Sequence, residues 1–178
     1  MSNWNYQEVY EDKNAGFCIR KCISRYGDSH SAATGINITD DARPVGVHFL
    51  TKGSIRVLNA DGDHRMYVEV GEKIAAPSLD DAQKGWGIFI SKANTEYYCI
   101  ADIPPYERYW AGSLTKLEPN ESATIEGVQG KRVFLPKAAN VDGVDYPKHT
   151  VLRIDSKDSI TVTNAGVTNV IATFWLDE

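Results

Sequence analysis

Basic clusters, long apolar runs and helical periodicity are all missing from this sequence. The chain carries 19 Lys and Arg against 24 Asp and Glu, a net charge of −5, with the two signs mixed along its length. A nucleic-acid binder needs a basic stripe to meet phosphate, so no nucleic-acid partner is expected. No apolar run approaches the roughly 20 residues of a membrane-spanning helix, and no membrane partner is expected either. The opening Met1-Ser2-Asn3-Trp4-Asn5-Tyr6 has neither a basic start nor an apolar stretch. It reads as no secretory signal, and the expected location is cytoplasmic or virion-associated. Cysteines are few and odd in number: Cys18, Cys22 and Cys99. That favours reduced thiols over a disulfide framework. Cys18 and Cys22, four apart on a strand, share a face but exceed disulfide reach along it.

Motifs that carry chemistry are equally scarce. Gly85-Trp86-Gly87 is too short to cradle a phosphate and opens no helix. Asp61-Gly62-Asp63-His64-Arg65 lacks the spaced oxygens and closing Glu of a calcium loop. The carboxylate pairs Asp40-Asp41 and Asp80-Asp81 are adjacent on turns and point apart, whereas glycosidase carboxylates must face one cleft. The best helical segment, residues 78–84, offers one turn of helix formers before Gly85.

What remains is strand after strand. Residues 17–23, 45–50, 54–58, 66–70, 73–76, 88–91 and 96–103 are short, apolar or β-branched, and separated by Gly, Asn, Asp and Pro. Pro104-Pro105 cannot continue a central strand, because neither residue donates a ladder hydrogen bond. Beyond it, 113–117, 123–125, 131–135, 151–154, 159–163 and 169–176 repeat the pattern. The last of these is apolar on both faces and is expected to be central. Residues 137–148 show no period and read as a long loop. Residues 54–60 and 159–165 match at five of seven positions, which repeated strand–turn chemistry explains without a tandem duplication. The fold class expected is all-β, an antiparallel jelly roll or β-sandwich. It forms one domain, with a division into β halves 1–104 and 105–178 at the proline pair.

The stretch from Val45 to Pro77 resembles a cupin, a double-stranded β-helix jelly roll. A strand, Gly53, the strand Ser54–Leu58 and a polar turn are followed by Val68-Glu69-Val70-Gly71-Glu72 before Pro77. Val151 to Leu176 closes with a similar cadence. The resemblance implies a jelly roll whose barrel mouth can serve as a pocket. Metal-holding cupins carry two His separated by one residue, a Glu shortly after, and a further His in a second motif. Here the corresponding strand has His48 alone, with Leu50 where the second His would stand. His64 and Glu69 lie on the next hairpin, and the second half has only His149. A resident metal needs three or four converging ligands, so neither a metal nor any other cofactor is expected.

Strand alternation selects His48, Arg56, Tyr67 and Trp86 as residues that line a ligand pocket. The competing reading of His48 is an ordinary strand residue with a satisfied ring. The cysteines read as small buried thiols, since a nucleophilic one requires a paired imidazole. Tyr97, Tyr98, Tyr106, Tyr109 and Trp110 fall within fourteen positions, fit either to bind a partner or to pack a seam between β layers. Trp4, Tyr6 and Tyr10 precede the first clear strand and suggest an arm that docks on a neighbour. Trp4, Tyr6, Tyr10, Tyr106, Tyr109 and Trp110 are therefore the candidate interface. The first functional reading is a non-catalytic structural or interaction protein, of the viral accessory kind. It assembles into a homo-oligomer or a larger particle. The alternative is a cupin-like protein that binds a small molecule without a metal. Underneath both lies the expectation that reactive polar groups do not gather.

Overall fold

The computed structural model describes residues 4–24, 46–59, 65–74, 86–90, 95–103 and 108–177, with the backbone alone at some strand positions. The helical segment expected at 78–84 lies outside them. The described residues form sixteen strands and no helix, so none is long and apolar enough to cross a membrane. The chain divides into two compact units at Trp110 and Ala111.

The first unit contains β1 (Trp4–Asp12), β2 (Phe17–Ser24), β3 (Gly46–Lys52), β4 (Ser54–Asn59), β5 (Arg65–Glu69), β6 (Lys73–Ile74), β7 (Trp86–Ile90) and β8 (Glu96–Asp102). They make a five-stranded sheet in the order β1-β2-β8-β3-β6 and a three-stranded sheet in the order β5-β4-β7. Every pairing is antiparallel. Trp4, Tyr6 and Tyr10, expected to form an arm that docks on a neighbour, lie in a strand paired with β2. The ladder with β2, from Trp4 opposite Ser24 to Asp12 opposite Phe17, accounts for that segment's backbone hydrogen bonds. On one face of β2, β8 and β3, Phe17, Ile19, Val47, Phe49, Tyr98 and Ile100 are fully buried, sharing it with Lys21, opposite Tyr98, and Asp102, opposite Phe17.

The second unit is built from β9 (Tyr109–Leu117), which starts at the boundary, β10 (Ser122–Glu126), β11 (Arg132–Leu135), β12 (Ala139–Val141), β13 (Val144–Tyr146), β14 (Thr150–Arg153), β15 (Ser159–Asn164) and β16 (Asn169–Asp177). They form two four-stranded sheets, β10-β15-β12-β13 and β14-β11-β16-β9. Alternation does its expected work in β15, where Ile160 and Val162 are buried while Ser159 and Thr161 face water. In β16 six consecutive residues are buried, and the strand is interior to its sheet, as its two apolar faces demand. One cluster of the unit's core is aliphatic, with Leu117, Val133, Leu135, Val162 and Ile171 fully enclosed, and Phe134 and Phe174 are fully buried as well.

The long loop expected at 137–148 is instead the hairpin β12–β13. Asp142 and Gly143 both take positive φ, 50° and 88°, the pattern of a type I′ turn, for which Asp-Gly is a preferred pair. Asn140 fastens it: its Oδ1 accepts from the Gly143 N–H at 3.0 Å and its Nδ2 donates to Asp145 at 2.9 Å. The strands are three residues each, too short to display a period.

Asn164, 3% exposed, pins the turn before β16. Its Nδ2 donates to the carbonyls of Leu117 at 3.2 Å and Glu118 at 3.1 Å, and also to that of Val167. Asn164→Ala is expected to lower the second unit's stability by about 2 kcal/mol in urea unfolding, because buried carbonyls lose their donor. Asn164→Asp, whose carboxylate cannot donate, is expected to cost at least as much.

Candidate functional site

On the second face of the five-stranded sheet the sequence places polar groups among apolar ones. His48 of β3 stands directly opposite Cys99 of β8, and Leu50 opposite Tyr97. Directly opposed residues project to the same side, so His48, Tyr97 and Cys99 share a face. On the other flank of β8, Arg20 of β2 stands opposite Cys99, with Cys18 opposite Ala101. The tyrosine hydroxyl is hydrogen-bonded to His48 Nδ1, and the Cys99 thiol lies 3.7 Å from His48 Nε2. Tyr97 is fully buried, His48 is 7% exposed, and Cys99 is the partly exposed end of the row.

This grouping corrects the expectation that reactive polar groups stay apart. A thiol touches an imidazole here, but as a neutral pair. Burial pushes the His48 ring down to about 4, so it is uncharged near neutral pH. Burial, with a smaller contribution from Cys18, pushes the Cys99 thiol up to about 12, against a small opposing pull from Arg20. The thiolate–imidazolium state of an activated cysteine is therefore disfavoured on both sides. In one tautomer Tyr97 donates to Nδ1 and Nε2–H donates to sulfur; in the other both bonds reverse. Either way the row is a chain of uncharged donors and acceptors. Alkylation should reflect this: with iodoacetamide at pH 8, where roughly one such thiol in 10⁴ is ionised, Cys99 is expected to stay unmodified in the folded protein. Peptide mapping should find it labelled once the chain is unfolded.

The other pocket candidates lie on the three-stranded sheet, whose strands do not pair with β3. Arg56 of β4 pairs with Tyr67 of β5 and with Phe89 of β7, all within the three-stranded sheet. Trp86 pairs with Asn59 at the end of β4. Of the candidate interface residues, Tyr106 lies outside the described residues and Tyr109 opens β9. Trp110 is 1% exposed: its ring packs on Phe17, centroids 5.1 Å apart, and its N–H is taken by Asp102 at 3.1 Å. Phe17 in turn stacks on Tyr10 at 5.7 Å. Tyr98, on the face opposite Tyr97, stacks on Phe49 at 5.6 Å. These rings build the core of the first unit. Tyr97 and Cys99 were not among the sequence-selected pocket residues. Their i, i+2 spacing puts them on one face, but only the β3–β8 register puts His48 between them.

No family model matches the chain, and no curated protein matches it. Solved structures do. A conserved protein of unknown function from Pseudomonas aeruginosa PAO1 aligns with a TM-score of 0.61 at 10% identity, over 99% of this chain and 89% of that one. HutD from Pseudomonas fluorescens SBW25 aligns with a TM-score of 0.59 at 14% identity, covering 99% of this chain and 90% of its own. The bacterial pirin YhhW from Escherichia coli, solved in complex with nickel(II), gives 0.54 at 11% identity, covering 100% and 94%. At such identities the likeness establishes the fold alone. The chain has the antiparallel jelly-roll fold of cupins.

Metals are held in some proteins of this fold, the nickel-bound pirin among them. The donor set here does not fit one. Cys99 and His48 supply two donor atoms, His48 Nδ1 is already bonded to Tyr97, and no three His, Cys, Asp or Glu side chains converge among the described residues. Three or four ligands are required.

Proposed function

We propose that this protein binds a small molecule through its cupin fold without a resident metal, and that the ligand meets the His48 face of the first unit. Fold does not carry that reading, since cupin-like barrels host unrelated chemistries. What supports it is one observation: a neutral Tyr97–His48–Cys99 row on one face of the five-stranded sheet. Burying polar groups costs more than burying aliphatic ones unless every donor and acceptor is matched. The central cluster of the second unit, by comparison, is aliphatic, and its buried polar side chains include Asn164 and Asn169, which bond to turn backbone. The His48 row joins side chain to side chain instead, and ligand binding gives that arrangement a use. The opposing view of an assembly or virion protein has no observation among the described residues in its favour.

The chemistry of the row sets the class of ligand. Cys99 is the accessible end, with Arg20 opposite it across the ladder. A neutral thiol and a nearby guanidinium suit a small oxygen-rich molecule, a hydroxy or keto acid, whose carbonyl or carboxylate accepts from both. With an uncharged imidazole behind it, the thiol binds rather than attacks. The test is scanning fluorimetry with a panel of small hydroxy and keto acids. A ligand that binds the native state alone raises the melting temperature by mass action. The expected result is stabilisation of the wild type by at least one member, lost in His48→Leu. A panel without effect, or an effect unchanged in His48→Leu, would refute the proposal.

A further inference from the structure

The second unit carries a separate cleft that the His48 face does not involve. β13 ends one of its sheets and β14 ends the other. Among the residues of these two edge strands and of the segment that follows β14 lies a cleft of about 310 Å³. Its floor is the aliphatic core itself, Val141, Ile154 and Ile160, each less than a tenth exposed. Leu152 and the half-exposed Val144 form its walls. A volume at the small end of ligand pockets, with an apolar floor and a few polar rim groups, suits a compact ligand.

The rim decides which one. Asp142 is committed: its Oδ1 accepts the Thr161 N–H at 2.8 Å and its Oδ2 accepts from Lys157 at 2.9 Å. Those two bonds hold its carboxyl below the ordinary range and fix the hairpin turn over β15. Arg153 is differently placed. Its Nε donates to Asp155 at 3.0 Å, and among the described residues no acceptor meets either of its Nη atoms. Both members of that pair are about 70% exposed, so the bond is weak and readily exchanged. A guanidinium with two open N–H groups beside an apolar floor matches a carboxylate bidentately.

We infer that the β13–β14 cleft binds a small monocarboxylate with an apolar body, its tail on Ile154 and Ile160 and its carboxylate on the Arg153 Nη atoms. The site is independent of the His48 face and stands or falls separately from it.

The probe is 4-methylpentanoate, titrated into the ¹⁵N-labelled full chain at millimolar concentration and followed by amide shifts. The expected shifts fall on residues 141–144, 152–157 and 160. The alcohol 4-methylpentan-1-ol, with the same body and no charge, is expected to bind roughly tenfold more weakly. Arg153→Gln should weaken carboxylate binding by a similar factor. Asp155→Asn, which frees the guanidinium and removes a repelling charge, should strengthen it severalfold. Both changes are at exposed positions, and His48→Leu should leave the titration unchanged. Absence of shifts at the cleft, or equal affinity for acid and alcohol, or an unaltered affinity in Arg153→Gln, would each overturn the inference.

Discussion

Asp102→Ala is expected to lower the stability of the first unit by about 3 kcal/mol, measured as the shift of its unfolding midpoint in urea at pH 7. The carboxylate is 3% exposed and serves four donors. Its Oδ1 accepts from Arg108 Nη2 at 2.6 Å, Arg108 Nε at 3.0 Å and Trp110 Nε1 at 3.1 Å, while Oδ2 accepts the Arg108 backbone N–H at 3.2 Å. Arg108 passes the tie onward, donating from Nη2 to the carbonyls of Ala15 and Gly16, both at 2.9 Å. One carboxylate thereby joins the end of β8, the start of β9 and the β1–β2 turn. Gly16 is required there: its φ is 83°, and a side-chain carbon would sit 1.9 Å from Arg108 Nη2. Removing the carboxylate takes the Asp102 acceptor from the buried indole N–H and unties the turn. Arg108 is 43% exposed and can be resolvated, which keeps the figure at the lower end for a broken buried pair.

The same tie has a pH signature of defined sign. Burial alone would raise the Asp102 carboxyl, but the hydrogen bonds from Arg108 and Trp110 outweigh it and hold the group below its usual value of 3.8. A carboxyl depressed in the folded state contributes stability that is complete above the unfolded value and is lost as pH falls through the folded one. The Asp102 contribution therefore fades only in strong acid.

Much of this architecture is legible in the residues. Ser159 to Thr163 alternates so regularly that its buried and exposed positions are assigned before any neighbour is known, and the doubly apolar run at 170–174 announces an interior strand. Segments failed where the local signal is short or ambiguous. Trp4 to Tyr10 carries three aromatics with polar residues between them, a pattern shared by an edge strand and a docking arm. The Asp142-Gly143 turn was flanked by strands too brief to show a period, although that dipeptide is itself a hairpin signal. The polar row was hidden for a different reason. Alternation assigns His48 to one face of its strand and Tyr97 and Cys99 to one face of theirs. Nothing local specifies that these strands, some fifty residues apart in sequence, pair with His48 opposite Cys99. Register between distant strands is set by the sum of packing along both faces. Here the opposite face, with buried Val47 against Ile100 and buried Phe49 against Tyr98, fixes it.

That packing delivers His48 into a site where it must remain uncharged, and the consequence is measurable. The His48 ring falls from the ordinary 6.5 to about 4 on burial. Between those values the unfolded chain binds a proton at this residue and the folded chain does not, so stability rises with pH across the window. The contribution is complete above about 6.5, is lost progressively as pH falls toward 4, and is flat below it. At about 1.4 kcal/mol per pH unit, the expected loss is on the order of 3 kcal/mol. His48→Leu places an apolar group of similar size against Tyr97 and Cys99. It should flatten this part of the profile without abolishing folding, because the face that sets the register is untouched. Urea unfolding of wild type and variant at intervals from pH 7 to pH 4 reads the difference directly. Parallel profiles would mean that the imidazole accepts a proton inside the folded sheet, and the neutral row would then not exist.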